Sequence, residues 1–518
     1  MKNFFISKYT KLIINIIIYV VPIALLLISS KLMTIGVGGE SSVNDVVLLT
    51  ILIIVLSSSR KAFYFIALPI VLLYALYTPI GITFGKPTYQ YIASLFATDL
   101  LESGEFLYQI PLINWFCAIA IIILIFSYYF LCRRLNISYY KNRTLICIMV
   151  IVSLIDQSPF SFFRNIITSG QKVKEELVKL NSFDKENRWG NTRLTNNSKY
   201  DDYILVIGES ARKDYHHAYG YPINNTPFMS ASNGVLVDGF TSAGTNTIAS
   251  LRLMLTKPNL KKWEPDYSLN LIDLVKNSGI KTYWISNQGY FGKFDTPISA
   301  IANKSDVKIF MKSGTYNSYN ISDFELIPRF DKIIFGKSKT KRFIVIHLYG
   351  SHPMACDRLF DYKKIIEPKD PKYDYLACYI STINKTDDLL KSLVNSLNKN
   401  YQDNNRTYSL IYFSDHGQVH NEVNGKILFN NAFAGKRHYD VPIFKISYDD
   451  HERNVIKNFK SGLNFIDGIA HWIGIENDKL NIGYDIFTNK DDQNDYGLSD
   501  RIKAINKEDD PAIDIKDK

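Results

Sequence analysis

The stretch Ile411-Tyr412-Phe413-Ser414-Asp415-His416-Gly417, "IYFSDHG", is an apolar run that stops abruptly at a carboxylate, an imidazole and a glycine. With the residues before it, "YSLIYFS" (408–414) reads as a buried strand. Its end has two readings. Asp-His-Gly could be a tight turn, or a strand tip that presents two metal ligands.

Other segments carry the same pattern. "YILVIG" (203–208), "VLVDGF" (235–240), "KTYWIS" (281–286), "RFIVIHL" (342–348) and "VPIFKIS" (441–447) are short, apolar and β-prone. Helical spacing lies between them at 269–279 and 374–397 and follows the last at 461–474. Strands alternating with helices predict an α/β domain over 201–488, with a mostly parallel sheet covered by helices on both faces. Open sheets of this kind place ligands beyond the carboxyl ends of their strands. "YILVIG" runs into Glu209, "RFIVIHL" into Gly350-Ser351-His352, and "SLIYFS" into Asp415-His416. Three strands therefore deliver carboxylate and imidazole groups to one rim, a donor set suited to zinc, with manganese as the alternative. "FTSAGTNTIASLR" (240–252) follows a strand and is rich in glycine and hydroxyl residues. It fits an ordinary helix N-cap, or a hydroxyl nucleophile at a helix N-terminus that favours phosphate.

The first third of the chain differs. Of 518 residues, those near 12–30, 44–58, 62–84, 110–131 and 144–160 form five apolar runs, each read as a membrane span of ~20 residues. Lys2, Lys8, Lys11, Arg60, Lys61, Arg133, Arg134, Lys141 and Arg143 mark the N-terminus and alternate loops as cytoplasmic. Everything after residue 160 then lies outside. The expected organisation is a five-helix transmembrane domain (1–160), a linker (161–200), an exported catalytic domain (201–488) and a flexible charged tail (489–518). The net charge of +10 is dispersed, and an exported domain points to anionic lipid or glycan partners rather than nucleic acid. Of five cysteines, only Cys356 and Cys378 fall in the exported domain, where an oxidising compartment predicts a disulfide.

An ordered set of motifs resembles the phosphoethanolamine transferases of the alkaline phosphatase/sulfatase-like superfamily. They are Gly208-Glu209-Ser210-x-Arg212-x-Asp214, Tyr219-Gly220-Tyr221, Thr226-Pro227, Gly244-Thr245-x-Thr247-x-x-Ser250, Gly350-Ser351-His352 and Ser414-Asp415-His416-Gly417. The resemblance implies Glu209, Asp415 and His416 as zinc ligands, and Thr247 as a nucleophile that also touches the metal. It implies His352 as a substrate-side catalytic histidine. In "FATDLLESGEF" (96–106) it implies that Thr98 and Glu102 contact the lipid donor. The implied activity is transfer of phosphoethanolamine from phosphatidylethanolamine to lipopolysaccharide (lipid A or core sugar) or a similar surface glycan, through a phospho-threonine. The implied location is the bacterial inner membrane, with the catalytic domain in the periplasm.

Three departures stand out. Ala243 occupies the place of a cysteine in the lipid A branch, and Leu251-Arg252 replaces a Val-Pro-like pair. The second substrate histidine of that branch is missing from "GKILFNNAF", which leaves His420 and His438 as candidates. The rival readings are a phosphoglycerol transferase, lipoteichoic acid synthase-like or glucan-modifying, and a non-catalytic scaffold. A sulfatase needs a Cys/Ser-x-Pro-x-Arg context, which the nucleophile stretch lacks.

Overall fold

The computed structural model describes residues 2–38, 42–88, 92, 100–144, 146–148, 161–182, 187–290, 296–313, 320–430, 435–505 and 508–518. The chain divides into two compact units, Met1–Ile92 with Tyr108–Lys172, and Ala93–Leu107 with Val173–Lys518.

The first unit is helical. α1 (Lys2–Gly36), α2 (Val43–Leu56), α3 (Arg60–Phe84) and α5 (Leu112–Arg134) pack around Leu26, Met33, Ile53, Phe63, Val71, Ile121, Ile125 and Tyr129. Phe63 stacks on Tyr129 with ring centroids 3.7 Å apart. Phe65, Leu76, Ile113 and Phe116 point outward, as lipid-facing side chains do. Among the described residues, three helices are long and apolar enough to cross a membrane: Ile17–Gly36 of α1, then α3 and α5. Of the five expected spans, the first, third and fourth are met by these helices. α2 has 14 residues, roughly 21 Å of helix against a hydrocarbon core of ~30 Å. The fifth run, 144–160, lies largely outside the described residues. The N-terminal region thus carries helices of membrane-spanning length and composition.

The second unit is built on an eight-stranded sheet. Its strands are β1 (Asp202–Gly208), β2 (Gly234–Val237), β3 (Lys281–Tyr290), β4 (Val307–Ser313), β5 (Arg342–His347), β6 (Tyr408–Ser414), β7 (Ile443–Ser447) and β8 (Arg453–Ile456), in the order β8-β2-β7-β6-β1-β5-β3-β4. The sheet is mixed, not mostly parallel as expected, because β7 runs antiparallel to both β2 and β6. Strand direction is not written in local hydrophobicity. Here the chain leaves β6, forms a hairpin from Val419–Val423 and Lys426–Asn430, and re-enters from the same end. A parallel return would need a full crossover. The edge strands β4 and β8 had no counterpart in the sequence reading.

β1 alternates between two cores. Leu205 and Ile207 face α7 (Thr247–Met254), α8 (Leu271–Asn277) and α11 (Phe465–Ile473). Ile204 and Val206 face α9 (Leu326–Ile334) and α10 (Asp374–Asn404). At the other end of β1, buried Arg342 holds buried Asp202 through two 2.6 Å bonds.

Two segments are more structured than expected. The second half of the 161–200 linker joins the sheet-bearing unit. Trp189 is fully buried and donates to Asn270 O at 2.8 Å, and Arg193–Leu194 pairs with Ile475–Glu476. The 489–518 tail, expected to be flexible, makes specific contacts. Asp509 pairs with Arg437 at 2.7 Å, Asp510 with Arg212 at 3.1 Å, and Ile515 is fully buried. Composition marks such a tail as soluble but cannot reveal that its charges have partners waiting.

Candidate metal and nucleophile site

Register gathers the rim. Gly208 and Ser414 are paired at the ends of neighbouring β1 and β6, so Glu209 and Asp415 leave the sheet side by side. β5 flanks β1 on its other edge, and its continuation returns over the rim, with Ser351 N donating to Glu209 O at 3.0 Å. Glu209, Asp415 and His416 are buried, and one ligand atom from each lies within 4.8 Å of the others. Gly417 is required where it stands: a Cβ there would lie 2.2 Å from Arg437 O. Ser210 takes a left-handed φ of 58°, a conformation costly for a non-glycine residue and frequent at functional sites. It gives Ser210 N to Asp415 Oδ1 at 3.0 Å and Ser210 Oγ to Glu209 Oε1 at 2.6 Å.

His416 Nδ1 lies 2.6 Å from Gly417 O. An N–H donated there leaves Nε2 as a free ligand atom. Nε2 lies 3.3 Å from Glu209 Oε1 and 3.5 Å from Asp415 Oδ2. Two buried carboxylates this close demand positive charge. Burial and the Glu209 charge push Asp415 up to about 7. Burial would lower His416, but Asp415 and Glu209 raise it to about 9. Burial likewise opposes Glu209, yet His416 holds it below the carboxylate range. Asp415 Oδ2 is buried without a hydrogen-bond partner. A divalent cation satisfies all of these at once, so the residues fit a metal of the zinc class.

Thr247 opens α7, one residue after its cap: Asn246 Oδ1 accepts from Ala249 N at 2.8 Å. Thr247 is half-buried, and its Oγ1 lies 3.0 Å from Glu209 Oε2 and 3.4 Å from His416 Nε2. The structure therefore brings Thr247 together with the three candidate ligands. Gln288, which the sequence reading missed, reaches the same carboxylate: its Nε2 lies 3.5 Å from Glu209 Oε2 and donates to Leu348 O at 2.7 Å. Only the bulge late in β3 puts it there.

His352 sits at the rim, partly buried. Burial would lower it, but Glu105 above all, with Glu102 and Glu209, raises it above the ordinary histidine range. Glu102 lies on α4 (Leu100–Tyr108), half-buried. Thr98 lies outside the described residues. His420 is held on both sides of its ring. Its Nδ1 lies 2.6 Å from Asp510 Oδ1 and its Nε2 2.7 Å from Tyr215 Oη, so both ring nitrogens are committed. His438 is fully buried, and its Nε2 has no partner. Burial, with the His416 charge adding, lowers it to about 3, so the ring stays neutral.

Cys356 and Cys378 are joined by a disulfide, which ties the turn after His352 to α10. Replacing both by Ser removes the crosslink from the unfolded chain. The expected cost is about 3 kcal/mol, read as a fall in melting temperature on the order of 5 °C. An unchanged melting temperature would mean the bond contributes nothing.

The Sulfatase family model matches residues 201–475. A Haemophilus influenzae protein, provisionally named a phosphoethanolamine transferase, is 52% identical over 397 residues, 76% of this chain and 82% of its own. Phosphoethanolamine transferase OpgE of Escherichia coli is 30% identical over 446 residues, 80% and 81% of the two chains. The integral membrane lipooligosaccharide phosphoethanolamine transferase A from Neisseria meningitidis shares the fold, with a TM-score of 0.58 at 14% identity over 88% of this chain and 96% of that one. The rim of buried Glu209, Asp415 and His416 with Thr247 beside them thus sits in a sulfatase (alkaline phosphatase-like) domain, and the chain belongs to the phosphoethanolamine transferase family.

Proposed function

We propose that this enzyme moves phosphoethanolamine from phosphatidylethanolamine to a hydroxyl or phosphate of lipopolysaccharide (lipid A or core sugar) or a similar surface glycan, through phosphorylated Thr247. The observation that carries the reading is Thr247 Oγ1 at 3.0 Å from Glu209 within the buried ligand cluster.

Glu209, Asp415 and His416 would hold zinc, with Thr247 beside it. Bound there, the cation supplies Lewis-acid charge to the phosphate and lowers the pKa of the hydroxyl. Glu209 Oε2, accepting from the Thr247 hydroxyl, fixes its oxygen for attack. That oxygen bonds to phosphorus as the phosphorus–oxygen bond to diacylglycerol breaks; the hydroxyl proton passes by way of Glu209 Oε2 to the departing diacylglycerol oxygen, and phosphoethanolamine stays on Thr247. In the second half an acceptor hydroxyl attacks the same phosphorus. His352 takes its proton while the bond to Thr247 breaks, and that proton is afterwards released to restore the Thr247 hydroxyl. His438 Nε2, buried and without a hydrogen-bond partner, is the remaining candidate for the second substrate histidine. The acidic α4 helix, with Glu102, is suited to an ammonium headgroup and favours ethanolamine over glycerol. The basic-loop pattern supports a site on the periplasmic side of the inner membrane.

The test is diacylglycerol release from labelled phosphatidylethanolamine and, separately, phosphatidylglycerol, with and without a chelator. Chelator-sensitive release from phosphatidylethanolamine alone is expected, a loss of ~100-fold or more on metal removal. Release from phosphatidylglycerol alone would move the enzyme to phosphoglycerol transfer.

A further inference from the structure

We propose that Glu105, on helix α4, is a positioning residue for His352 in the transfer reaction; this rests on the reading given under Proposed function. Glu105 comes from a short stretch between apolar helices of the sequence, yet it belongs to the sheet-bearing unit. It is 6% exposed, and its two oxygens face different basic side chains. Oε1 accepts from Arg358 Nη2. Oε2 lies 3.5 Å from His352 Nδ1.

The partners are themselves fixed. Arg358 lies over the Tyr349 ring at 4.2 Å and donates to Pro353 O at 3.1 Å. The His352 ring stacks on the same tyrosine, with centroids 4.9 Å apart and planes 14° from parallel. Tyr349 therefore sets the plane of the imidazole, and Glu105 sets its rotation within that plane. With Nδ1 facing Glu105 at ion-pair distance, Nε2 is the nitrogen left for substrate. When the acceptor oxygen bonds to phosphorus and the bond to Thr247 breaks, the acceptor proton goes to Nε2. The imidazolium so formed faces the Glu105 carboxylate. A carboxylate behind a working histidine orients the ring and stabilises its charged form without touching substrate. Glu102, one helical turn earlier on the same face of α4, keeps the separate headgroup role already given.

The test uses the full chain with labelled phosphatidylethanolamine and a glycolipid acceptor. Glu105→Gln keeps the shape and an acceptor for Arg358 but removes the charge. Steady-state transfer is expected to fall about 10–100-fold, the usual cost of losing such a partner. The first-turnover burst of diacylglycerol should stay within ~3-fold, because that half does not use His352 as a base. In a His352→Gln background the same change should cost less than ~2-fold, since the two groups act as one. Parental turnover in Glu105→Gln overturns the proposal. An equal loss in both backgrounds also overturns it, because it marks a purely structural role. Should Glu105→Gln melt below the assay temperature, the cycle is run with Glu105→Asp on the same criterion. Diacylglycerol release by a Thr247→Ala enzyme would instead sink the underlying transfer reading, a distinct result.

Discussion

Thr247→Ala should abolish transfer, by about 10⁴-fold or more, while the protein stays folded. The size of the effect follows from the role. Thr247 Oγ1 would be the atom that bonds to phosphorus, and no other hydroxyl among the described residues is hydrogen-bonded to Glu209 Oε2. Ser210, whose hydroxyl donates to Oε1 of the same carboxylate, is fully buried and engaged. The structural cost should be small. The helix cap is Asn246, the substituted side chain is half-buried, and Ala is the better helix former, so the change in stability should stay within ~1 kcal/mol. Thr247→Ser, which keeps the oxygen, should retain activity within ~10-fold. The measurement is diacylglycerol release together with mass spectrometry of the Thr247 peptide. Full activity in the alanine variant, or an unmodified threonine peptide in a trapped reaction, would remove Thr247 from the nucleophile position.

The second large effect concerns the metal. Glu209→Gln preserves shape but removes one of two carboxylate charges from a buried site, where charge is what a divalent cation pairs with. Bound zinc should fall below about a tenth of an equivalent, and transfer should fall by ~10³-fold or more. The readout need not depend on activity. Added zinc should raise the melting temperature of the parental protein by mass action and leave the variant unmoved. A variant that still binds zinc stoichiometrically would mean that Asp415 and His416 suffice and that Glu209 only orients Thr247 and Ser210.

Much of the site was legible because its residues sit at strand ends. A strand tip is recognisable from one short stretch, and a parallel pair places two tips together. Glu209 and Asp415 meet for this reason. Thr247 was readable as the start of a helix after a glycine-rich turn. His420 and His438 are both candidates in the sequence. The structure separates them, because Asp510 from the far end of the chain occupies one nitrogen of His420 and Tyr215 the other. Glu102 and Glu105 share one helix, and a carboxylate in such a stretch gives no sign of which histidine it will meet.

The sequence by itself determined the apolar N-terminal region, six of the eight strands, the motif residues and the cysteine pair. Each of these is a local pattern, of hydrophobic period, turn residue or spacing. Only the tertiary structure decided the direction of β7, the docking of the linker and tail, and the pairing of Glu105 with His352. These depend on contacts between residues far apart in the chain, whose energies come from burial and charge pairing that no short window of sequence contains.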